Sequence, residues 1–318
     1  MNPPLVSVIM SVYNGQRYLE ESLDSVLKQE FSDFEFLIFD DGSTDNTASI
    51  VQSKNDPRIK FFRAEQNQGL FPALNKLIAQ AKGKYIRLWS YDDIMKPNCL
   101  ASMVYFYEQN PQVGFCYCTR QPIDESGRII PYHKEYKMPA IISPQIAAQI
   151  MFYYGSIAGN ISTVMIKKEV LGEMQGFQDQ LCQSADFDMW VRISEKYPIG
   201  FINERLIFLR NHSQQFSKWD NMILVTMKEN RQIFERLLKR MPAELTFFAR
   251  KYRRYCIYTQ YFHYIVSSLA RGRLKTAAGI FTELRKYDNI FLLFWLWLFT
   301  LGGRKFTPRP KFKQSFQI

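Results

Sequence analysis

The chain has 318 residues, enough for one large domain with an appendage or for two domains. A hydrophobic share of 47% against 22% charged residues excludes an intrinsically disordered protein. The net charge of +11 is unevenly placed, because residues 218–318 hold 20 Lys and Arg against 6 Asp and Glu while residues 1–217 hold 21 against 24. An acidic front and a strongly basic back predict two jobs, with an anionic partner such as a membrane surface or nucleic acid meeting the back.

The five cysteines, Cys99, Cys116, Cys118, Cys182 and Cys256, show no metal-type CxxC spacing and no disulfide framework. Met1-Asn2-Pro3-Pro4 leads straight into a strand-like run, without the basic region and apolar core of a signal peptide. Together these predict reduced thiols in a cytosolic protein.

In chain order, Leu5 to Met10 is an apolar, β-branched run that predicts a buried parallel strand, followed by the loop Ser11-Val12-Tyr13-Asn14-Gly15. Tyr18, Leu19, Ser22, Leu23 and Val26 recur at helical spacing. Phe34 to Phe39 is a second strand, ending at Asp40-Asp41-Gly42-Ser43-Thr44-Asp45, where Ser43 or Thr44 can cap the helix that carries Ile50 and Val51. Ile59 to Phe62 is a third strand, and Phe71, Leu74, Leu77 and Ile78 stripe another helix. Lys84 to Trp89 is a fourth, ending at Ser90-Tyr91-Asp92-Asp93.

Four strand–helix alternations in about a hundred residues predict an α/β fold with a parallel, doubly wound sheet. Ligands of such sheets sit at the carboxyl ends of the strands, and two of these four strands end in paired carboxylates. Beyond them the pattern predicts a strand at Val113 to Thr119, a turn at Asp124-Glu125-Ser126-Gly127, a strand around Ile161 to Ile166 and a helix from Asp186 to Glu195.

The carboxylates suggest distinct chemistry. Those at Asp40-Asp41 can accept hydrogen bonds from a ribose or from the imide edge of a base, or can simply cap the next helix. A divalent cation held by one of Asp92 and Asp93 and by two phosphates would neutralise charge growing on a leaving diphosphate. In Ser184-Ala185-Asp186-Phe187-Asp188-Met189-Trp190-Val191-Arg192, two acids stand two residues apart, so on a helix only one of them enters a given cleft. Asp186 is the candidate base for an acceptor hydroxyl, while Asp188, Trp190 and Arg192 are expected to pack and pair within the helix. No GxGxxG or GxxxxGK[ST] phosphate loop is present.

VSVIMSVYNG, then DDGSTD, then NQG with Ala73 and Asn75, then WSYDD with Pro97, then SADFDMWVRI, in that order, resembles a family 2 glycosyltransferase of the GT-A fold, over about residues 4–217. The resemblance implies inverting transfer of a sugar from a nucleoside-diphosphate donor to an acceptor hydroxyl, as in polysaccharide or glycolipid synthesis. It further implies that Ser11, Tyr13, Asn14, Asp40, Asp41, Asn67, Gly69, Asn75 and Asp92 bind the nucleotide sugar, that Asp186 is the base, and that Asp92 and Asp93, with His212, hold Mg²⁺ or Mn²⁺. Two departures stand out: Ser90 replaces the first acid of an Asp-x-Asp-Asp pattern, and Ala185 replaces the acid of a Glu-Asp pair. They keep open a non-catalytic sugar-nucleotide sensor or scaffold on the same fold.

Past Ser217 the chain is basic, aromatic and helical in character. Lys251-Tyr252-Arg253-Arg254-Tyr255 opens it, and Ile290 to Leu301 is apolar at every position except Thr300, with Arg285-Lys286 before and Arg304-Lys305 after. At ~20 residues for a spanning helix the run is short, so with Trp295 and Trp297 it predicts a segment dipping into a membrane interface. The expectation is therefore a catalytic domain over 1–217 and a membrane-associating helical region over 218–318. The protein would lie peripherally at the inner face of the membrane, act on a glycan or lipid-linked acceptor, and make no contact with nucleic acid.

Overall fold

The computed structural model describes residues 3–132, 138–213 and 222–300. Strand β1 (Val6–Val12) is buried along its whole length, so it needs a neighbour on each side and cover on each face. Its neighbours are β2 (Phe34–Asp40) and β4 (Tyr85–Ser90), both parallel to it, with Ser11 level with Phe39 on one side and Ser90 on the other. Strand β3 (Ile59–Arg63) extends the parallel set beyond β2.

The connecting helices are α1 (Leu19–Leu27), α2 (Thr47–Ser53) and α3 (Leu70–Gln80). Leu19, Leu23 and Val26 of α1, and Phe71, Leu74 and Leu77 of α3, are buried, which is the stripe their spacing predicts. From β1 the chain passes to β2 on one side, and β4 lies on the other. The crevice at a switch of this kind opens at the carboxyl ends of the strands.

After β4 come β5 (Ile94–Met95), α4 (Cys99–Gln109), β6 (Phe115–Ile123), β7 (Ile141–Ile142), α5 (Pro144–Tyr154), β8 (Val164–Lys167), α6 (Lys168–Glu173), α7 (Ala185–Lys196) and β9 (Ile199–Arg210). The strand order is β3-β2-β1-β4-β8-β6-β9-β5, with β7 on β9. Because β8 runs antiparallel to both β4 and β6, the parallel alternation read from the first four strands gives way to a mixed sheet. The strand expected from Ile161 begins only at Val164. The Asn160 side chain accepts the Ser162 amide at 2.7 Å and first closes a short 3₁₀ turn over Ile161–Thr163.

The described residues form two compact units, one of residues 3–147 and 156–213 and the other of residues 148–155 and 222–300. Besides 148–155, the second unit contains α8 (Met222–Lys239), α9 (Ala243–Tyr252), a π-helical segment (Arg253–Tyr258), α10 (Thr259–Ala270), α11 (Leu274–Leu284) and α12 (Ile290–Thr300). Its core gathers Met227, Phe262, Ile265, Ala277, Ile280, Leu284 and Leu293. No helix among the described residues is long and apolar enough to cross a membrane. Leu301, Arg304 and Lys305 of the predicted interfacial run, and the boundary near Ser217, lie outside the described residues.

At the amino-terminal end of the parallel strands a buried carboxylate ties three chain segments together. Glu35 of β2 accepts from Ser7 Oγ and from the Lys82 amide, both at 2.6 Å, and pairs with Lys60 of β3. Burial alone would raise this carboxyl, but the bonds from Lys60, Ser7 and Lys82 outweigh it and hold it below the usual range. The lowered value favours folding above the unfolded pKa of ~4.3, and that contribution fades as pH falls through the folded value. Glu35→Gln is therefore expected to cost about 1–3 kcal/mol at pH 7 and to flatten the acid side of the stability profile, as checked by urea unfolding between pH 3 and 7.

Candidate active site

The crevice starts at the loop after β1, which is stitched to the loop after β2. Asn14 adopts a left-handed φ of 49°, donates its amide to Ser43 Oγ at 2.9 Å and accepts the Thr44 amide on its Oδ1 at 2.9 Å. The amides of Gly15 and Gln16 donate to Thr47 Oγ1 (2.9 Å) and Asp45 Oδ2 (3.1 Å). A Cβ on Gly15 would fall 2.5 Å from Val12 Cγ2 and 2.9 Å from the ring of Tyr91, so this loop also packs on the one after β4. Tyr13 is left exposed, and Ser11 is buried at the strand end.

Asp40 is fully buried at the end of β2. Its Oδ1 accepts the Ser43 amide at 2.9 Å, which closes a turn four residues ahead of α2 and does not cap that helix, whose N-cap is Asn46, and its Oδ2 pairs with Arg63 Nε at 3.1 Å. Arg63 also donates to the Ser43 carbonyl at 2.9 Å. Asp41 uses both oxygens on the next loop, accepting the amides of Gln68 (2.9 Å) and Gly69 (2.8 Å). Asn67 supports the same turn, its Oδ1 accepting from Gly69 at 3.1 Å. Gly42 makes this possible: it holds φ at +80°, and a Cβ there would meet the Gln66 carbonyl carbon at 2.8 Å.

Asp92 follows β4 and is aimed by two groups. Ser90 Oγ donates to its Oδ1 at 2.6 Å, and buried His212, just past β9, meets its Oδ2 through Nε2 at 2.9 Å. The imidazole packs 4.9 Å from the ring of Tyr18. Asp93 turns the other way, into the core, where its Oδ1 accepts the Arg210 amide at 2.9 Å. Burial, then the charge of Asp92, raise the Asp93 carboxyl well above the carboxylate range. Of the expected metal set of Asp92, Asp93 and His212, the structure brings Asp92 and His212 together and turns Asp93 away from them. Asp93 is drawn inward by the Arg210 amide, and among the described residues no group of three His, Cys, Asp or Glu side chains could hold a metal ion.

Asp92 with His212 still offers one hard carboxylate and one imidazole. Mg²⁺ or Mn²⁺ accepts so sparse a protein set when substrate phosphates and water complete its shell, so the residues present fit such an ion.

Arg210, which no sequence motif marks, is the buried hub behind this corner. Its Nε donates to the Asp92 carbonyl at 3.0 Å, its Nη1 to the Glu125 carbonyl at 3.2 Å, its Nη2 pairs with Glu21 of α1, and it lies over Tyr18 at 4.7 Å. A cation directly closing the apolar run Leu206-Ile207-Phe208-Leu209 was the available signal.

Asp186 lies in the first turn of α7, half-buried, with its Oδ1 accepting the Phe187 amide at 2.7 Å. Asp188 instead pairs with Arg192 at 2.6 Å, and Arg192 also donates to the Met174 and Gly176 carbonyls, the internal pairing expected for them. Asn75 does not face the strand ends through its amide. It clamps the loop before α7, donating to the Phe177 carbonyl (2.8 Å) and Asp179 (2.7 Å) while accepting the Phe177 amide (2.8 Å).

The strand ends therefore gather Asp40, Asp41 and Asp92 at the carboxyl edge of a mixed α/β sheet, the arrangement of a nucleotide-sugar transferase. The glycosyl transferase family 2 model matches residues 7–168, and the chain belongs to that family. It is 31% identical over 215 residues to an uncharacterised glycosyltransferase of Methanocaldococcus jannaschii, a match covering 66% of this chain and 72% of that one. It spans only 35% of the length of a Rickettsia felis glycosyltransferase that it matches at 34% identity over 68% of its own length. Among solved structures, the mannosyltransferase PcManGT from Pyrobaculum calidifontis, in complex with GDP-Man and Mn²⁺, superposes with a TM-score of 0.58 at 18% identity, covering 97% of this chain and 83% of that one. This likeness carries the fold, which is the GT-A fold that the motifs implied.

If Asp41 is the latch of the 67–69 turn, Asp41→Ala leaves the Gln68 amide without its acceptor and the Gly69 amide with Asn67 Oδ1 alone. Exchange of the Gln68 and Gly69 amides with solvent is expected to quicken by tenfold or more, on the order of the 1–3 kcal/mol such a group is worth, while the amides of β1 keep their rate. Unchanged exchange at 68 and 69 would remove the latch.

Proposed function

We propose that the protein transfers a sugar from a nucleoside-diphosphate donor to an acceptor hydroxyl with inversion at the anomeric carbon. The observation that carries this reading is Asp92 at the end of β4, held between Ser90 Oγ and His212 at the mouth of the crevice. Ser11 and Tyr13 would meet the nucleotide, with buried Asp40 reaching it once Arg63 gives way, Asn14, Asp41, Asn67 and Gly69 shaping the loops that receive it and Asn75 setting the loop that leads to α7. The GDP-Man held by the mannosyltransferase supports a donor of this class.

Asp92 and His212 would hold the divalent ion, which when bound supplies positive charge opposite the diphosphate. Asp186 takes the proton of the acceptor hydroxyl as its oxygen attacks the anomeric carbon. The bond from that carbon to the diphosphate oxygen breaks on the opposite face, and the nucleoside diphosphate leaves with the electron pair.

The acceptor side of the proposal is a glycan or a lipid-linked saccharide reached at a membrane surface, from the cytoplasmic side, within polysaccharide or glycolipid synthesis. Its support is α12. That helix packs Leu293 and Thr300 inward and leaves Phe291 80% and Phe299 76% exposed, along with Phe294, Trp295 and Leu298. An apolar face of that extent marks an interaction surface, and the balance of charge over residues 218–318 suits an anionic one. The catalytic region is taken to run over 1–217 and the membrane-facing region over 218–318.

The reading is tested by thermal shift with UDP, GDP, TDP and CDP, with and without Mn²⁺, on wild type, Asp92→Ala and Asp186→Asn. One nucleotide is expected to raise the wild-type midpoint in a Mn²⁺-dependent way, and Asp92→Ala to lose that response. Asp186→Asn should keep the shift while transfer from the matching sugar nucleotide falls roughly 10²- to 10⁴-fold. No shift with any nucleotide would overturn the donor assignment, and full turnover by Asp186→Asn would overturn the base.

A further inference from the structure

Glycosyl transfer leaves a concave feature of the second unit without a task. It is a cleft of about 440 Å³ between α9, the π-helical segment and the turn after α11, lined by Phe247, Arg250, Lys251, Arg254, Tyr255 and Tyr287 among others. Its one lining acid, Asp288, is spent on Arg254 through bonds that include Nη2 to Oδ1 at 3.0 Å. Arg253, also at the cleft, is taken by Glu235 at 2.6 Å. Arg250 and Lys251 are exposed and have no carboxylate partner among the described residues. Lys251 Nζ instead sits 5.6 Å from the centre of the Tyr255 ring.

Beside these cations stand two consecutive phenylalanines that the fold does not bury. Phe247 is 70% and Phe248 61% exposed, with their rings edge-on at 5.7 Å. The helix that presents them is fixed from behind, since Ala249 and Tyr252 are buried and Tyr252 Oη donates to the Tyr153 carbonyl at 2.8 Å. The next six residues, Arg253–Tyr258, are π-helical, a rare conformation that recurs at functional positions.

Surplus cations around a cleft and a solvent-facing phenylalanine pair at its edge make two demands at once. A soluble polyanion answers the first and leaves the rings in water. The surface of an anionic bilayer answers both, with phosphates at the depth of the cations and acyl chains just below.

We propose that this cleft is a phospholipid-headgroup site, in which Arg250 and Lys251 bind the phosphate of an anionic lipid while Phe247 and Phe248 enter the acyl layer beside it. The inference deepens the membrane reading drawn from α12 but rests on different residues, so the two are separable.

The test is flotation of the full chain with vesicles of phosphatidylcholine alone and of phosphatidylcholine with phosphatidylglycerol. Wild type, Phe247→Ser/Phe248→Ser, Arg250→Ala/Lys251→Ala and, for α12, Trp295→Ser/Phe299→Ser are compared after matching thermal midpoints confirm intact folds. Wild type should prefer the anionic vesicles. At about a fivefold loss per cation removed, the Arg250/Lys251 double variant should bind them roughly 30-fold more weakly. The phenylalanine variant should lose binding to a comparable degree.

Wild-type binding by both α9 variants, with loss only in the α12 variant, would overturn the headgroup site and leave the α12 reading standing. The reverse pattern would keep the site and sink α12. Equal binding to neutral vesicles, or soluble polyphosphate captured as tightly by the phenylalanine variant as by wild type, would also overturn the site.

Discussion

A guanidinium taken out of water must have its N–H groups answered, and the corner that holds Asp92 is built around one that is. Arg210 is almost completely buried at the end of β9, yet it reaches the carbonyls of Asp92 and Glu125 and the carboxylate of Glu21, while its own amide holds Asp93. A buried guanidinium left without such acceptors is far more costly than an exposed pair lost. The loop after β4, the turn after β6 and the first turns of α1 are therefore held to a common centre. Asp92 inherits its direction from that framework, and so does His212, two residues further along the same strand end.

The same framework explains why adjacent aspartates behave differently. Asp92 points where Ser90 and His212 can reach it, and Asp93 points into the core, toward the Arg210 amide and the Ser162 hydroxyl. In a sequence they are a pair, and pairing suggested a shared cation. In three dimensions the alternation of side chains past a strand end separates them, and burial raises the pKa of the inward one. The Asp40–Asp41 pair divides in a similar way, with Asp40 facing Arg63 and Asp41 facing the amides of the next loop.

Strands β1 to β4 were readable because each is a short apolar run closed by turn residues, and the strand-end acids were readable because chemistry concentrates there. What escaped was everything that depends on long-range partners. Glu35 meets Lys82 from 47 residues away, and Arg210 meets Asp92 from 118 residues away. No local spacing encodes such contacts. Asn75 shows the converse: its motif marked it, but its amide is consumed by the loop at Phe177, where Gly176 at a φ of +72° brings the backbone within reach. In α12 hydrophobicity is nearly uniform around the helix, so periodicity could not say which side docks and which stays exposed.

The two departures from the family pattern acquire physical content from these placements. Ser90 stands where an acid often does, and its hydroxyl donates to Asp92 at 2.6 Å; an aspartate there would set two carboxylates against each other without a cation between them. The serine keeps the orientation of Asp92 with one less negative charge, so the crevice relies less on a bound ion for its own integrity. Ala185 is completely buried, and a glutamate side chain at that position would have to displace packed neighbours or carry its charge into the core. Asp186, one residue on and half-buried at the start of α7, keeps the exposure that Ala185 lacks. Both substitutions thus remove an acid while leaving the orientation or exposure of its acidic neighbour intact.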